Sequence, residues 1–137
     1  METVEGKQVS NLNADVLLGR PLNDVERKFA PRALHIKGTM PIPLPRPRVS
    51  IVGARKASED GLAAAETIAR TLAGMEVVIV SGLAEGIDTS AHKATIAAGG
   101  RTIAVLGTPL SKVYPRKNFQ LQQDIMKNHH AISQFPA

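Results

Sequence analysis

The same short pattern occurs twice in the middle of this chain: a run of β-branched residues, a glycine-containing turn and a helical segment. The first copy is R-V-S-I-V-G-A-R-K-A-S, from Arg48 to Ser58, and the second is E-V-V-I-V-S-G-L-A-E-G-I-D, from Glu76 to Asp88. Strands that are joined through helices are parallel, so both turns lie at the same edge of one sheet. Open α/β sheets bind ligands at that edge, and the pattern therefore predicts a ligand site there.

Apolar runs extend this pattern into a complete α/β fold. They predict parallel strands over residues 49–52, 77–80, 102–106 and 131–135, joined by helical crossovers, and we expect the first strand to be buried on both faces. The predicted fold class is α/β, a Rossmann-like three-layer α/β/α arrangement with a mostly parallel sheet of about four to five strands. The first helix is expected to be capped by Ser58, to end at Gly74 and to bury a stripe formed by Leu62, Ala65, Ile68, Ala69 and Leu72.

The segment before this core has weaker signals. Residues 1–19 show little periodicity and are interpreted as a tail or a poorly packed arm. Pro21–Phe29 has helical spacing after a proline, and Ala33–Lys37 is typical of a short strand. Met40–Pro47 has prolines at alternate positions, which exclude a helix or a central strand and predict an extended lead-in to the core.

Composition excludes several classes of protein. The chain has no cysteine, so disulfides, cysteine nucleophiles and cysteine-ligated metal centres are excluded. No stretch approaches the roughly 18 apolar residues of a membrane span, and the first residues lack the order of a secretory signal, so we expect a cytoplasmic protein without a membrane partner. The net charge of +5 suits a polyanionic partner, although the same charge also serves solubility alone.

The first turn combines a glycine with two cations. Gly53 allows a sharp turn at the strand end, Ala54 leads toward a helix whose free N–H groups attract an anion, and Arg55 and Lys56 follow directly. The spacing matches neither G-x-G-x-x-G nor G-x-x-x-x-G-K-[ST], which disfavours dinucleotide binding and ATPase activity. A glycine required for packing beside a solvated arginine explains these residues equally well, so both interpretations stay open.

The second turn contains small residues and the start of a helix. Ser81, Gly82 and Gly86 form the turn, and Asp88 and His92 follow four residues apart on one helix face. Serine, aspartate and histidine together suggest a hydrolase triad, but G-x-S-x-G is absent and an i,i+4 Asp–His pair typically braces its own helix. Two ligands are too few for a closed zinc site, so we predict no metal there. We also predict no cofactor and no catalytic residue.

Five motifs together resemble one known family. V-G-A-R-K-A-S, V-S-G-L-A-E-G-I-D-T-S-A-H, G-G-R-T-I-A-V-L-G, V-Y-P-R-K-N and S-Q-F-P occur, over about Leu22 to Pro136, in the order and spacing of the DNA-processing protein A family (DprA, also called Smf). The resemblance implies a Rossmann-like domain that binds single-stranded DNA, protects it during natural transformation and loads a RecA-type recombinase, without enzymatic activity. We divide the chain accordingly into an N-terminal arm, residues 1–47, and a partial DprA-type domain, residues 48–137.

The resemblance also assigns candidate site residues. Arg55 corresponds to the DNA-contacting arginine of the family's V-G-S-R motif, the second turn shapes the same pocket, and Lys112, Arg116 and Lys117 border it. Tyr114 is the one aromatic residue in these loops, so at most one base stacks there and we expect a mostly electrostatic, nearly sequence-blind affinity. The full set of candidate phosphate- and DNA-binding residues is Gly53, Ala54, Arg55, Lys56, Ser81, Gly82, Gly86, Lys112, Tyr114, Arg116 and Lys117.

The chain departs from the family pattern in three ways. Ala54 replaces the usual serine, and Gln134 replaces the usual glutamate of S-E-x-P. Family members also continue with further strands after the fourth one. We therefore expect the last strand to be an exposed edge and the uncovered apolar surface to drive formation of at least a homodimer.

Two other functions stay open beside DNA binding. One is a nucleotide-binding protein or phosphoribohydrolase of the wider Lonely Guy-like superfamily, although the P-G-G-x-G-T-x-x-E signature of those enzymes is absent from the sequence. The other is an oligomerisation module without a ligand. Because no motif assembles a nucleophile, a base and oxyanion donors, we predict no hydrolysis of nucleoside monophosphates or of ATP.

Overall fold

Seven strands and five α-helices make up the part of the chain that the computed structural model describes, residues 2–4 and 7–136, with side chains from Ser10 to Pro136. The strands are β1 (Glu2–Val4), β2 (Lys7–Leu12), β3 (Leu34–Gly38), β4 (Arg48–Ser50), β5 (Val78–Ser81), β6 (Thr102–Leu106) and β7 (His130–Ser133). The helices are α1 (Ala14–Leu18), α2 (Asp24–Phe29), α3 (Glu59–Gly74), α4 (Ile87–Ala97) and α5 (Phe119–Asn128), with a 3₁₀ turn at Arg116–Asn118 before α5. No helix in these ranges is long and apolar enough to cross a membrane.

All seven strands lie in one sheet, in the order β1-β2-β3-β7-β6-β5-β4. Strands β4 to β7 are parallel and are joined through α3, α4 and α5, which confirms the α/β class and its Rossmann-like parallel core. The sheet is larger than the predicted four to five strands because β1, β2 and β3 add antiparallel pairings. These three strands precede residue 47, and the division into domains at that residue stays a prediction.

The two edges of the parallel core differ from the prediction. β7 is not an exposed edge: it lies between β3 and β6, with Ile36 opposite Ile132. All four residues of β7 are buried. β4 is the edge strand instead. The expectation that it is buried on both faces is wrong, because within residues 2–4 and 7–136 only β5 pairs with it and Val49 is exposed.

Helices cover both faces of the parallel strands. On one face, α3, α4 and α5 pack over Ile79, Ala104 and Ala131. On the other face, α1 and the proline-rich lead-in pack over Val78, Ile103 and Ile132. The second layer is thin, since α1 has five residues and the lead-in forms neither helix nor strand, as predicted.

The N-terminal arm packs more closely than the sequence indicates. Leu17 of α1 is 2% exposed and belongs to the same apolar cluster as Met40 and Leu44. The N–H of Leu44 donates to the carbonyl oxygen of Leu17 at 2.8 Å. The interpretation of residues 1–19 as a poorly packed tail is therefore wrong for α1, while residues 1, 5 and 6 lie outside the described part.

Helices α2 and α3 begin directly after capping residues. α2 starts at Asp24, later than the predicted Pro21, because Asn23 and Glu26 form a reciprocal capping box. The Oγ of Ser58 accepts from the N–H of Gly61 at 3.1 Å and begins α3 as predicted. Ala65, Ala69 and the half-buried leucines confirm most of the predicted α3 stripe, but Ile68 is wrong because half of its surface is exposed.

Candidate nucleic-acid interface

The turns after β4 and β5 and the loop after β6 enclose a cavity of about 380 Å³, called the edge cavity below. It lies at the carboxyl ends of the parallel strands, where the repeated pattern predicts a ligand site. Arg55 lines it from the first turn, Gly82–Glu85 and Asp88 from the second, and Val105–Thr108 and Tyr114 from the loop. Three predicted residues, Arg55, Gly82 and Tyr114, thus meet in one cavity, whose volume lies within the range of about 300–1,000 Å³ that small-ligand pockets span.

Two of the predicted glycines hold the turns against each other. A Cβ atom at Gly53 would lie 2.6 Å from the side chain of Ile87, so the first turn packs directly on the start of α4. Gly86 has a φ of +82°, and a Cβ atom there would lie 2.3 Å from the carbonyl oxygen of Ala54. That carbonyl accepts from the N–H of Ile87 at 3.2 Å. Gly53, Ala54 and Gly86 therefore position the cavity wall, and the packing interpretation of Gly53 holds.

Ser81 and His92 also hold the two turns in place, through hydrogen bonds inside the core. The Ser81 hydroxyl donates to the carbonyl oxygen of Ile51 at 2.5 Å and connects β5 to the first turn. The Nε2 atom of His92 lies 2.5 Å from the carbonyl oxygen of Gly82, and its Nδ1 atom lies 2.6 Å from the hydroxyl oxygen of Thr102. Because a carbonyl only accepts, Nε2 carries the proton and Nδ1 accepts from Thr102. Both ring nitrogens are occupied, so His92 does not form a triad with Ser81.

The helix N-termini near the cavity offer little to a phosphate. The start of α3, where the sequence predicts an anion, is already compensated by Ser58 as its cap and by Glu59 and Asp60 in its first turn. The start of α4 has no side-chain cap, but the carboxylate of Asp88 lies in its first turn. Positive charge for a phosphate at the edge cavity therefore comes from side chains.

Cationic side chains around the cavity surround one carboxylate. Lys117 forms an ion pair with Glu85, and this hydrogen bond is the main cause that lowers the pKa of Glu85. The positive charges of Lys56 and Arg55 lower the same pKa further. Three of the five predicted cations thus surround Glu85, which partly neutralises them and which sequence reasoning did not find.

The other two predicted cations lie apart from this group. Lys112 and Arg116 line a separate shallow cleft together with Val113 and Phe119. Phe119 is exposed there, and sequence reasoning missed it, although it follows two basic residues in R-K-N-F. A cation beside an exposed ring is a common arrangement in single-strand binding grooves.

A third residue that the sequence does not place in the site is Asp88. Its i,i+4 spacing to His92 suggests a triad, a metal pair or a brace within the helix, and none of these places Asp88 in a binding cavity. No group of three or more His, Asp or Glu side chains within residues 2–4 and 7–136 is arranged to hold a metal ion. Asp88 instead lines the edge cavity, and its isolated spacing signal does not show which way its side chain points.

Comparisons with known proteins agree on one family of DNA-processing proteins. A family described as DNA recombination-mediator protein A matches residues 20–137. DNA processing protein DprA of Streptococcus pneumoniae is 44% identical over 106 residues, which make up 77% of this chain and 37% of that protein. DNA processing protein DprA of Bacillus subtilis is 37% identical over 106 residues, or 77% of this chain and 36% of that protein.

Two solved structures share the fold. The X-ray structure of S. pneumoniae DprA matches with a TM-score of 0.69 and 41% identity, over 77% of this chain and 37% of that one. The structure of DNA processing protein A from Helicobacter pylori, described as giving insight into its unique single-stranded DNA binding mode, matches with a TM-score of 0.73 and 26% identity. That match covers 95% of this chain and 57% of the other. The chain spans little more than a third of the two relatives above.

Proposed function

The chain belongs to the DNA recombination-mediator protein A family, and from this premise we propose that it binds single-stranded DNA at the edge cavity. The observation that carries the proposal is that an exposed guanidinium, Arg55, and a phenol ring that is 68% exposed, Tyr114, line the same cavity. An arginine side chain pairs with a phosphate through two parallel hydrogen bonds, and an aromatic ring stacks on a base. The described DNA-binding mode of the H. pylori protein supports the same class of ligand.

The ligand proposed is a single strand because the cavity offers one cation and one ring at its mouth. A base that remains paired in a duplex cannot reach Tyr114, whereas an unpaired base can stack there for roughly 1 to 3 kcal/mol. From the cavity the backbone would pass Lys56 and continue toward Lys112 and Arg116, beside Phe119. Lys117 contributes less, because its charge is already paired with Glu85. Duplex DNA should therefore bind less tightly than a single strand.

The biological role proposed follows from the family. We propose that the chain acts in DNA processing and recombination in the cytoplasm, as a homodimer or higher oligomer that supports loading of a RecA-type recombinase during natural transformation. We also propose that it acts without catalysis. The hydrogen bonds that occupy Ser81 and His92 support this second proposal, because they leave neither group positioned as a nucleophile or a base.

Fluorescence anisotropy of a labelled single-stranded oligonucleotide at two salt concentrations tests the binding proposal. We expect Arg55→Ala to weaken binding at least about tenfold, equivalent to roughly 1.4 kcal/mol, and to flatten the dependence of affinity on salt. Arg101→Ala is the matched control, since Arg101 is exposed and precedes β6 at the opposite end of the strands. Equal binding by Arg55→Ala and the wild type, or an equal loss in Arg101→Ala, would show that the edge cavity is not the DNA site.

A further inference from the structure

The ion pair between Glu85 and Lys117 lies at the boundary between the edge cavity and a neighbouring cleft. Glu85 lines both spaces, and Lys117 lines the cleft, which runs between α3 and α4. Both side chains are open to solvent, with 44% of the Glu85 side chain and 66% of the Lys117 side chain exposed. An ion pair between solvated side chains contributes little to stability, so this pair opens at low cost.

The Glu85 carboxylate is the anion around which the cations of the site are arranged. The hydrogen bond from Lys117 is the main cause of its lowered pKa, and the charges of Lys56 and Arg55 lower that pKa further from a distance. A phosphate group has more to gain from the same cations, because it pairs with an arginine through two parallel hydrogen bonds and still has an oxygen free for a lysine. A phosphate that enters the edge cavity therefore competes with Glu85.

We propose that Glu85 holds the place of a strand phosphate in the free protein, and that a bound strand displaces it from Lys117. The strand gains Lys117 as a phosphate contact, while the glutamate side chain turns into the open cleft between α3 and α4. The displaced carboxylate stays near the phosphates and repels them, so Glu85 limits the affinity of the site. The competition needs a phosphate beside Arg55, so this inference rests on the proposed function.

The variant Glu85→Gln tests the effect on affinity, because it removes the competing charge and keeps the shape of the side chain. Lys117 is then free for a phosphate before the strand arrives. We expect this variant to bind a labelled all-dT strand of about ten nucleotides about fivefold more tightly than the wild type, by anisotropy at about 50 mM salt. An unchanged or weaker affinity overturns the inference.

Glu66→Gln is the matched control for this loss of charge. Glu66 also lines the cleft, it pairs with Arg70 at 3.1 Å, and half of its side chain is exposed, but it does not line the edge cavity. We expect it to change the affinity for the dT strand by less than about twofold. Equal tightening in both variants would show that net charge alone is responsible, and would overturn the inference.

Carboxyl ¹³C NMR of the wild type tests the displacement itself. The signal of Glu85 is identified by its absence from the spectrum of Glu85→Gln. We expect the pKa of Glu85 to lie below its ordinary value in the free protein and to rise when the dT strand is bound. Loss of Lys117 and the approach of phosphates both disfavour the charged carboxylate. A pKa that stays low or falls further in the complex overturns the inference, because Glu85 would then remain paired.

The same titrations separate this inference from the proposed function. Weaker binding by Arg55→Ala, with no change in Glu85→Gln, supports the proposed function and contradicts the competition by Glu85. Tighter binding by Glu85→Gln, with wild-type binding by Arg55→Ala, supports competition for Lys117 and contradicts the edge cavity as the DNA site.

Discussion

Gly99 and Glu76 occupy equivalent left-handed positions, the first after helix α4 and the second after helix α3. After α4, the N–H of Gly99 donates to the carbonyl oxygen of Ile96 and the N–H of Gly100 to that of Thr95. After α3, the N–H of Glu76 donates to Ala73 and that of Val77 to Leu72, which is the same Schellman pattern. Gly99 has a φ of +76° and Glu76 has a φ of +61°. The sequence predicts both helix ends near glycines, but Gly74 is the last helical residue and the left-handed position falls on Glu76.

A side chain in this left-handed conformation costs roughly 1 to 2 kcal/mol. Replacing Glu76→Gly should therefore raise the free energy of unfolding by about 1 kcal/mol in urea denaturation. Gly99→Ala is the matched control and should lower it by about 1 kcal/mol, because a Cβ atom at Gly99 meets nothing within 4 Å and only the backbone conformation is penalised. A loss of stability in Glu76→Gly would mean that contacts of the glutamate side chain outweigh the backbone cost.

At the scale of elements, the sequence predicts whether a segment is a helix or a strand better than it predicts which strand pairs with which. The strands β5 and β6 and the helices α3 and α4 lie within one or two residues of their predicted ranges, because short apolar runs and capping residues are local signals. The position of β7 is not a local property. It becomes central because Ile36 of the arm pairs opposite Ile132, almost a hundred positions later in the sequence. For the same reason β4, which has the apolar composition of a buried strand, is an edge.

Helix α1 provides a direct test of how firmly the arm belongs to the core. Leu17→Ala should lower the free energy of unfolding by about 2 to 5 kcal/mol, because Leu17 is almost fully buried between the lead-in and the sheet. Val16→Ala removes apolar atoms from the neighbouring exposed residue of the same helix and should change stability by less than about 0.5 kcal/mol. Urea denaturation compares the two variants. Equal, small effects would restore the interpretation of this segment as a poorly packed tail.

At the scale of the whole molecule, the sequence predicts where the site lies but not its full composition. The carboxyl ends of parallel strands meet at one edge, so Arg55 and the second turn are brought together as expected. Side-chain direction is not encoded in spacing, which is why Lys112 and Arg116 lie in a different cleft and why Asp88 was not assigned to the cavity. The polar network of Ser81 and His92 likewise depends on carbonyl groups of other strands.

Self-association is the last property that depends on the whole surface. The predicted cause, an exposed final strand, is wrong. In the described part of the chain, however, β4 leaves one edge of the parallel core unpaired, and Val52 beside it is 77% exposed. An unpaired edge next to apolar surface favours pairing between copies, so we still expect at least a dimer by light scattering at micromolar concentration. Val52→Lys should lower the measured mass toward that of one chain, since a charge beside a strand edge opposes pairing. The control is Val25→Lys on α2, where Phe29 is 75% exposed. If only this control lowers the mass, the helical face and not the β4 edge joins the copies, and a single-chain mass for the wild type excludes both.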